Sequence, residues 1–114
     1  MEIKFYKKTL TNNSHSFTTL VWLIIAGSKA PTNRIKIISL LREKPLNTNQ
    51  ISDLLQLDYK VVERHLDVLV RSKLLERVGR KYGILYFPSS ILNENLHIYD
   101  ELITKIELGK KLKN

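Results

Sequence analysis

The segment behind Asp58, from Tyr59 to about Ser72, constrains this chain more than any other stretch. On a helical wheel its side chains divide into two arcs. With Tyr59 as origin, Glu63, Asp67, Lys60, Arg71 and Arg64 fall roughly between 40° and 140°, and Val68, Val61, His65, Leu69, Val62 and Leu66 roughly between 180° and 340°. One arc is a core face and the other a polar reading face. Asp58 is a good N-cap for this helix. Ahead of it, Ile51, Leu54 and Leu55 at i, i+3, i+4 predict a short helix over Thr48–Leu55, capped by Asn47 or Thr48, with Gln56 and Leu57 as the turn. A short helix, a tight turn and an amphipathic second helix make a helix-turn-helix, whose second helix can enter a major groove.

Two strands are expected next, Leu74–Val78 and Ile84–Phe87, joined by Gly79, Arg80, Lys81, Tyr82 and Gly83 and stopped by Pro88. This basic hairpin is a wing. Ahead of the pair, Phe17 to about Ser28 predicts a helix apolar almost all round, which must be covered on more than one side. Thr32–Lys44 predicts another, burying Ile35, Ile37, Ile38, Leu40 and Leu41 and ended by Pro45. A last helix runs from a Ser89 or Ser90 cap to about Leu108. The expected fold is mainly α with a small β-hairpin wing, divided into a 1–15 arm or short strand, a 16–88 winged helix-turn-helix domain and an 89–114 dimerisation helix with a basic tail.

Composition narrows the function. With 114 residues there is room for one domain, and 43% apolar residues are enough to give it a core. The absence of cysteine excludes disulfides, thiolate metal sites and thiol nucleophiles. Nineteen Lys and Arg against eleven Asp and Glu leave +8, which favours a polyanionic partner, with nucleic acid foremost. Residues 59–88 carry seven of the basic and three of the acidic groups, so the excess sits on the reading unit. The apolar run Leu20–Ala26 is too short to span a bilayer, and Lys4, Lys7 and Lys8 lead into polar sequence with no cleavage site. A cytoplasmic protein without membrane attachment is therefore expected. Phosphate-binding glycine loops, a nucleophile elbow and HExxH-type motifs are missing, so no enzyme and no cofactor are expected.

Taken together, TNRIKIISLL (Thr32–Leu41), NQISDLLQLDYKVVERHLDVL (Asn49–Leu69) and LLERVGRKYGILYF (Leu74–Phe87) resemble, in order and spacing, the ArsR-like winged-helix transcriptional regulators over roughly residues 17–106. The resemblance implies a homodimer that binds pseudo-palindromic double-stranded DNA and usually represses. Arg64 carries over as a DNA contact. Glu63 stands where the family commonly has Ser, and it either reads a cytosine amino group or repels phosphate. Lys73 stands where the family has Gly, so a side-chain-bearing residue must make the turn into the wing. The family's thiolate metal motif is absent.

The expected base-reading residues are Tyr59, Lys60, Glu63 and Arg64. The expected backbone and wing contacts are Thr48, Gln50, Arg77, Arg80, Lys81 and Tyr82. Lys60 and Arg71 flank Glu63 and Asp67 at helical spacing and are placed to neutralise them. Leu92, Leu96, Tyr99, Ile103 and Ile106 form a heptad seam, expected to pack on its symmetry mate together with Phe17, Leu20, Val21 and Ile24 of the first helix. Glu94, His97, Asp100 and Glu101 share that last helix, but a solvated face with a Glu101–Lys105 pair accounts for them without a metal. A small-molecule effector is left unnamed. The competing reading is a winged-helix protein–protein adaptor, in which the apolar first and last helices hold a different polypeptide and no sequence-specific DNA binding occurs.

Overall fold

A computed structural model describes residues 15–81 and 83–113; residues 1–14 of the expected 1–15 arm and wing residue Tyr82 lie outside the described residues, and residue 15 already belongs to the first helix. The order is α1 (15–26), α2 (Pro31–Glu43), α3 (Thr48–Leu55), α4 (Tyr59–Arg71), β1 (Leu75–Val78), β2 (Leu85–Pro88), α5 (Ser90–Glu94) and α6 (Leu96–Lys113). The fold is therefore mainly helical with one antiparallel hairpin, as expected.

α1 points Phe17, Val21 and Ile25 into the core at i, i+4, i+8. It is not covered all round, since Trp22 and Leu23 stay 42% and 68% exposed. Its last stretch, Trp22–Ala26, widens into a π-helical turn closed by Gly27 N–H donating to the Trp22 carbonyl at 2.9 Å. A Cβ at Gly27 would stand 2.6 Å from the Leu23 carbonyl oxygen, so the wide turn depends on glycine. α2 starts on Pro31, whose missing N–H is harmless at a first helical position, and buries Ile35, Ile37, Ile38 and Leu41, leaving Leu40 half-buried.

The helix-turn-helix is set by side chains at its joints. Asn47 and Gln50 form a reciprocal capping box at 2.8 and 2.9 Å. Gln56 takes φ 55°, so that its own N–H and that of Leu57 close α3 onto the Asp53 and Ser52 carbonyls. Asp58 then accepts from Lys60 N at 3.0 Å to start α4. Leu54, expected in the core, is 58% exposed, and the helix instead turns Ile51 and Thr48 inward.

α4 ends in the same way. Lys73 takes φ 68°, its N–H donates to the Val70 carbonyl, and Leu74 N–H reaches back to Leu69. β1 and β2 then pair from Leu75 opposite Pro88 to Val78 opposite Leu85. Pro88 is thus the last strand residue rather than the stop beyond it. Leu46, between α2 and α3, exchanges both backbone hydrogen bonds with Tyr86 (3.3 and 2.9 Å) and ties β2 beside the start of α3.

The expected single last helix is broken. Ser89 caps α5, but Asn95 leaves helical geometry, its side-chain amide donating to the Ile91 carbonyl, and α6 begins afresh at Leu96. α6 lies antiparallel on α2, held at one end by Arg42 and Asp100 (2.6 and 3.4 Å) and at the other by Lys110 Nζ on Thr32 Oγ1. Packing within the chain uses up much of the expected dimer seam: Phe17, Val21, Leu92, Tyr99 and Ile106 are buried inside one chain, and Leu20, Ile24, Leu96 and Ile103 are half-buried. Glu101 pairs with His97 at 3.2 Å rather than with Lys105, and Asp100 is taken by Arg42. Among the described residues no acidic–histidine group is arranged to hold a metal, and no helix is long and apolar enough to cross a membrane.

Candidate nucleic-acid interface

α4 carries the polar arc to the surface. Val62, Leu66 and Leu69 are fully buried, whereas Tyr59, Lys60, Arg64, Asp67 and Arg71 are exposed and Glu63 is half-buried. Between this face, the start of α3 and the wing lies a cleft of about 470 Å³, into which Thr48, Tyr59, Glu63, Asp67, Arg77 and Lys81 converge. The wing reaches it because of its turn. Gly79 sits at φ 110°, where a Cβ would stand 2.6 Å from the Gly83 carbonyl oxygen, and Lys81 itself adopts φ 40°.

Not every expected contact gathers there. Lys60, Gln50 and Arg80 are exposed outside the cleft lining, and Arg64 lines a different cleft on the other edge of α4. Thr48 lines the cleft but is itself buried, so packing at the helix start occupies a side chain expected to hold a phosphate. Gln50 spends its side-chain oxygen on the capping box, leaving the amide N–H groups as its available donors. Asn47 and Asn49 also line the cleft. The sequence marks Asn47 only as a cap, and nothing in the spacing distinguishes Asn49 from an ordinary surface residue.

Neutralisation of the two carboxylates does not occur as expected. Arg71 Nε points at the Asp67 main-chain carbonyl (3.4 Å), and neither Glu63 nor Asp67 has an ion-pair partner among the described residues. A carboxylate beside bound DNA repels phosphate, and its favourable partners in a major groove are the amino donors of cytosine and adenine.

Residues 31–77, from the start of α2 through β1, match the family of bacterial regulatory proteins described as the arsR family. The matched segment holds the helix-turn-helix and the first wing strand. The whole fold is similar to that of reduced HlyU from Vibrio cholerae N16961, with TM-score 0.55, 23% identity, and coverage of 86% of this chain and 90% of that one. It is also similar to the transcriptional regulator HlyU from Vibrio vulnificus CMCP6 (TM-score 0.55, 20% identity, 98% of both chains) and to a MarR family transcriptional regulator from Silicibacter pomeroyi (TM-score 0.52, 23% identity, 96% and 89%). No curated protein sequence matches the chain. Over residues 31–77 the chain is thus similar to bacterial regulatory proteins, and over its whole fold to these solved structures.

The matched segment also takes part in a polar link that the wheel does not reveal. Arg34 of α2 donates from Nε to His65 Nδ1 at 3.0 Å and from Nη1 to the Ile24 carbonyl at 2.6 Å, joining α1, α2 and α4. His65, on the core arc of the wheel, is half-buried and bonded in this way. Burial first, and then the positive charges of Arg34 and Arg64, hold its imidazole below its ordinary pKa. Burial likewise lowers Arg34. On α6, burial raises the Tyr99 hydroxyl well above its usual range.

Proposed function

We propose that this protein is a homodimeric repressor that binds a pseudo-palindromic site in double-stranded DNA. α4 would enter the major groove with Tyr59, Lys60, Glu63 and Arg64, while Arg77, Arg80 and Lys81 of the wing, together with the Gln50 amide, contact phosphates. The observation that carries this reading is the exposed polar face of α4, set beside a basic wing on one cleft while the opposite face of α4 is locked in the core. The second copy would pack on the apolar surface that one chain leaves open, with Trp22 and Leu23 on α1 and Leu108 on α6, flanked by the half-buried Leu20, Ile24, Leu96 and Ile103. Two-fold pairing there would space the reading helices by about one duplex turn, roughly 34 Å, and repression would follow from occupying the site.

The test is a binding titration against the DNA upstream of the protein's own coding region, with random duplex as competitor. Arg64→Ala should cost about 1–3 kcal/mol on the preferred site and less on random DNA. Equal losses on both would remove base reading. A one-chain mass in solution with no DNA shift at low salt would favour the adaptor reading.

A further inference from the structure

On the edge of α4 away from the wing, the α1–α2 turn and the start of α2 enclose a second cleft of about 480 Å³. Its charged lining residues are all cationic: Lys29 from the turn, Arg34 from α2 and Arg64 from α4. No carboxylate lines it. Arg34 is the anomaly. Its guanidinium is half-buried, yet its two hydrogen-bond partners are neutral, the His65 ring and the Ile24 carbonyl, and no ion pair to it forms among the described residues. Those bonds orient the fork without cancelling its charge, and a partly desolvated cation without a counter-charge is costly. Two further cations on the same cleft add repulsion that an anion would remove. Leu23 and Val68 supply apolar lining beside them.

We infer that this cleft binds a phosphate group. Cations arriving from three separate elements suit a tetrahedral oxyanion with several acceptor edges, and the pre-oriented Arg34 fork supplies the directional contact. The group is either a backbone phosphate flanking the α4 footprint or the phosphate of a small molecule. Because Arg64 belongs to both this cleft and the polar face of α4, a small molecule held here competes with DNA for that side chain. Phosphate binding itself stands without the DNA reading, and only the choice of source uses it.

The experiment is a titration of the full chain with inorganic phosphate at constant ionic strength, with chloride as the balancing salt, following the His65 ring resonances by NMR. The expected result is a saturable shift that Arg34→Gln weakens by about tenfold or more and Glu63→Gln leaves unchanged. Should Arg34→Gln fail to fold, the Lys29→Gln/Arg64→Gln pair, both exposed, must produce the same weakening. A shift linear in phosphate, or one matched by chloride, overturns the inference. Duplex DNA is added last. If DNA displaces phosphate, and one neutral methylphosphonate linkage beside the site weakens the native protein but not Arg34→Gln, the backbone is the source. If phosphate and duplex bind together, or phosphate expels a duplex indifferent to the methylphosphonate, the source is a small molecule.

Discussion

Arg34 Nε donates to His65 Nδ1 at 3.0 Å, which makes that ring nitrogen an acceptor and leaves the proton of the neutral imidazole on Nε2. The same guanidinium holds the Ile24 carbonyl at the end of α1. One side chain thus fixes how α4 sits against α1 and α2, and it does so only while His65 is uncharged.

Stability should therefore fall on mild acidification. The folded His65 pKa lies below the ordinary 6.5, so the unfolded chain takes up the proton first. Between the two values the unfolded state binds more protons, and unfolding free energy rises with pH. The contribution is complete above about 6.5 and is lost as pH drops through the folded value. Denaturant midpoints measured across this range should show the slope, and His65→Gln should flatten it.

Lys73 and Gln56 are side-chain-bearing residues at φ 68° and 55°, each closing a helix. Lys73→Gly should raise stability by about 1 kcal/mol, and Gln56→Gly by a similar amount, because glycine reaches this region without the Cβ penalty. Gly79→Ala should do the reverse, since its backbone is at φ 110° and its Cβ would meet the Gly83 carbonyl. Urea denaturation reads all three.

On the proposed interface, Arg80 and Lys81 are exposed wing cations without a protein partner among the described residues. Replacing either by Ala should leave the circular dichroism spectrum unchanged and weaken binding about equally on preferred and random duplexes. The slope of log K against log salt should become shallower by about 0.9 for each phosphate that is no longer neutralised. An unchanged slope would take that residue off the phosphate backbone.

The proposed second copy leans on α1 and α6. Leu23→Glu combined with Leu108→Glu should lower the mass measured by light scattering from two chains to one, with the helical spectrum retained, because both side chains are more than half exposed in one chain. Ile106→Glu should instead unfold the chain, as that side chain lies in the core. A two-chain mass in the Leu23/Leu108 variant would place the contact elsewhere.

The α3–turn–α4 unit and the wing are legible in the sequence because their signals are local: a capping Asn and Asp, a two-arc wheel over Tyr59–Arg71, and glycines at both shoulders of a basic hairpin. The Gly-to-Lys departure at Lys73 is legible too, since helix closure at that point requires a left-handed residue whatever its side chain. Other features need the third dimension. Asn95 reads as an ordinary helical residue until its amide is seen bonding the Ile91 carbonyl. The heptad spacing of Leu92, Leu96, Tyr99, Ile103 and Ile106 says that a stripe is apolar, but it is equally satisfied by the rest of the same chain and by a second copy. In the fold Leu92, Tyr99 and Ile106 are buried within the one chain, while Arg42–Asp100 and Lys110–Thr32 tie α6 to α2 at its two ends. Periodicity reports which side chains avoid water; which neighbour covers them, and which cations share a cleft without a counter-charge, depends on residues distant in sequence, as Arg34 and His65 are.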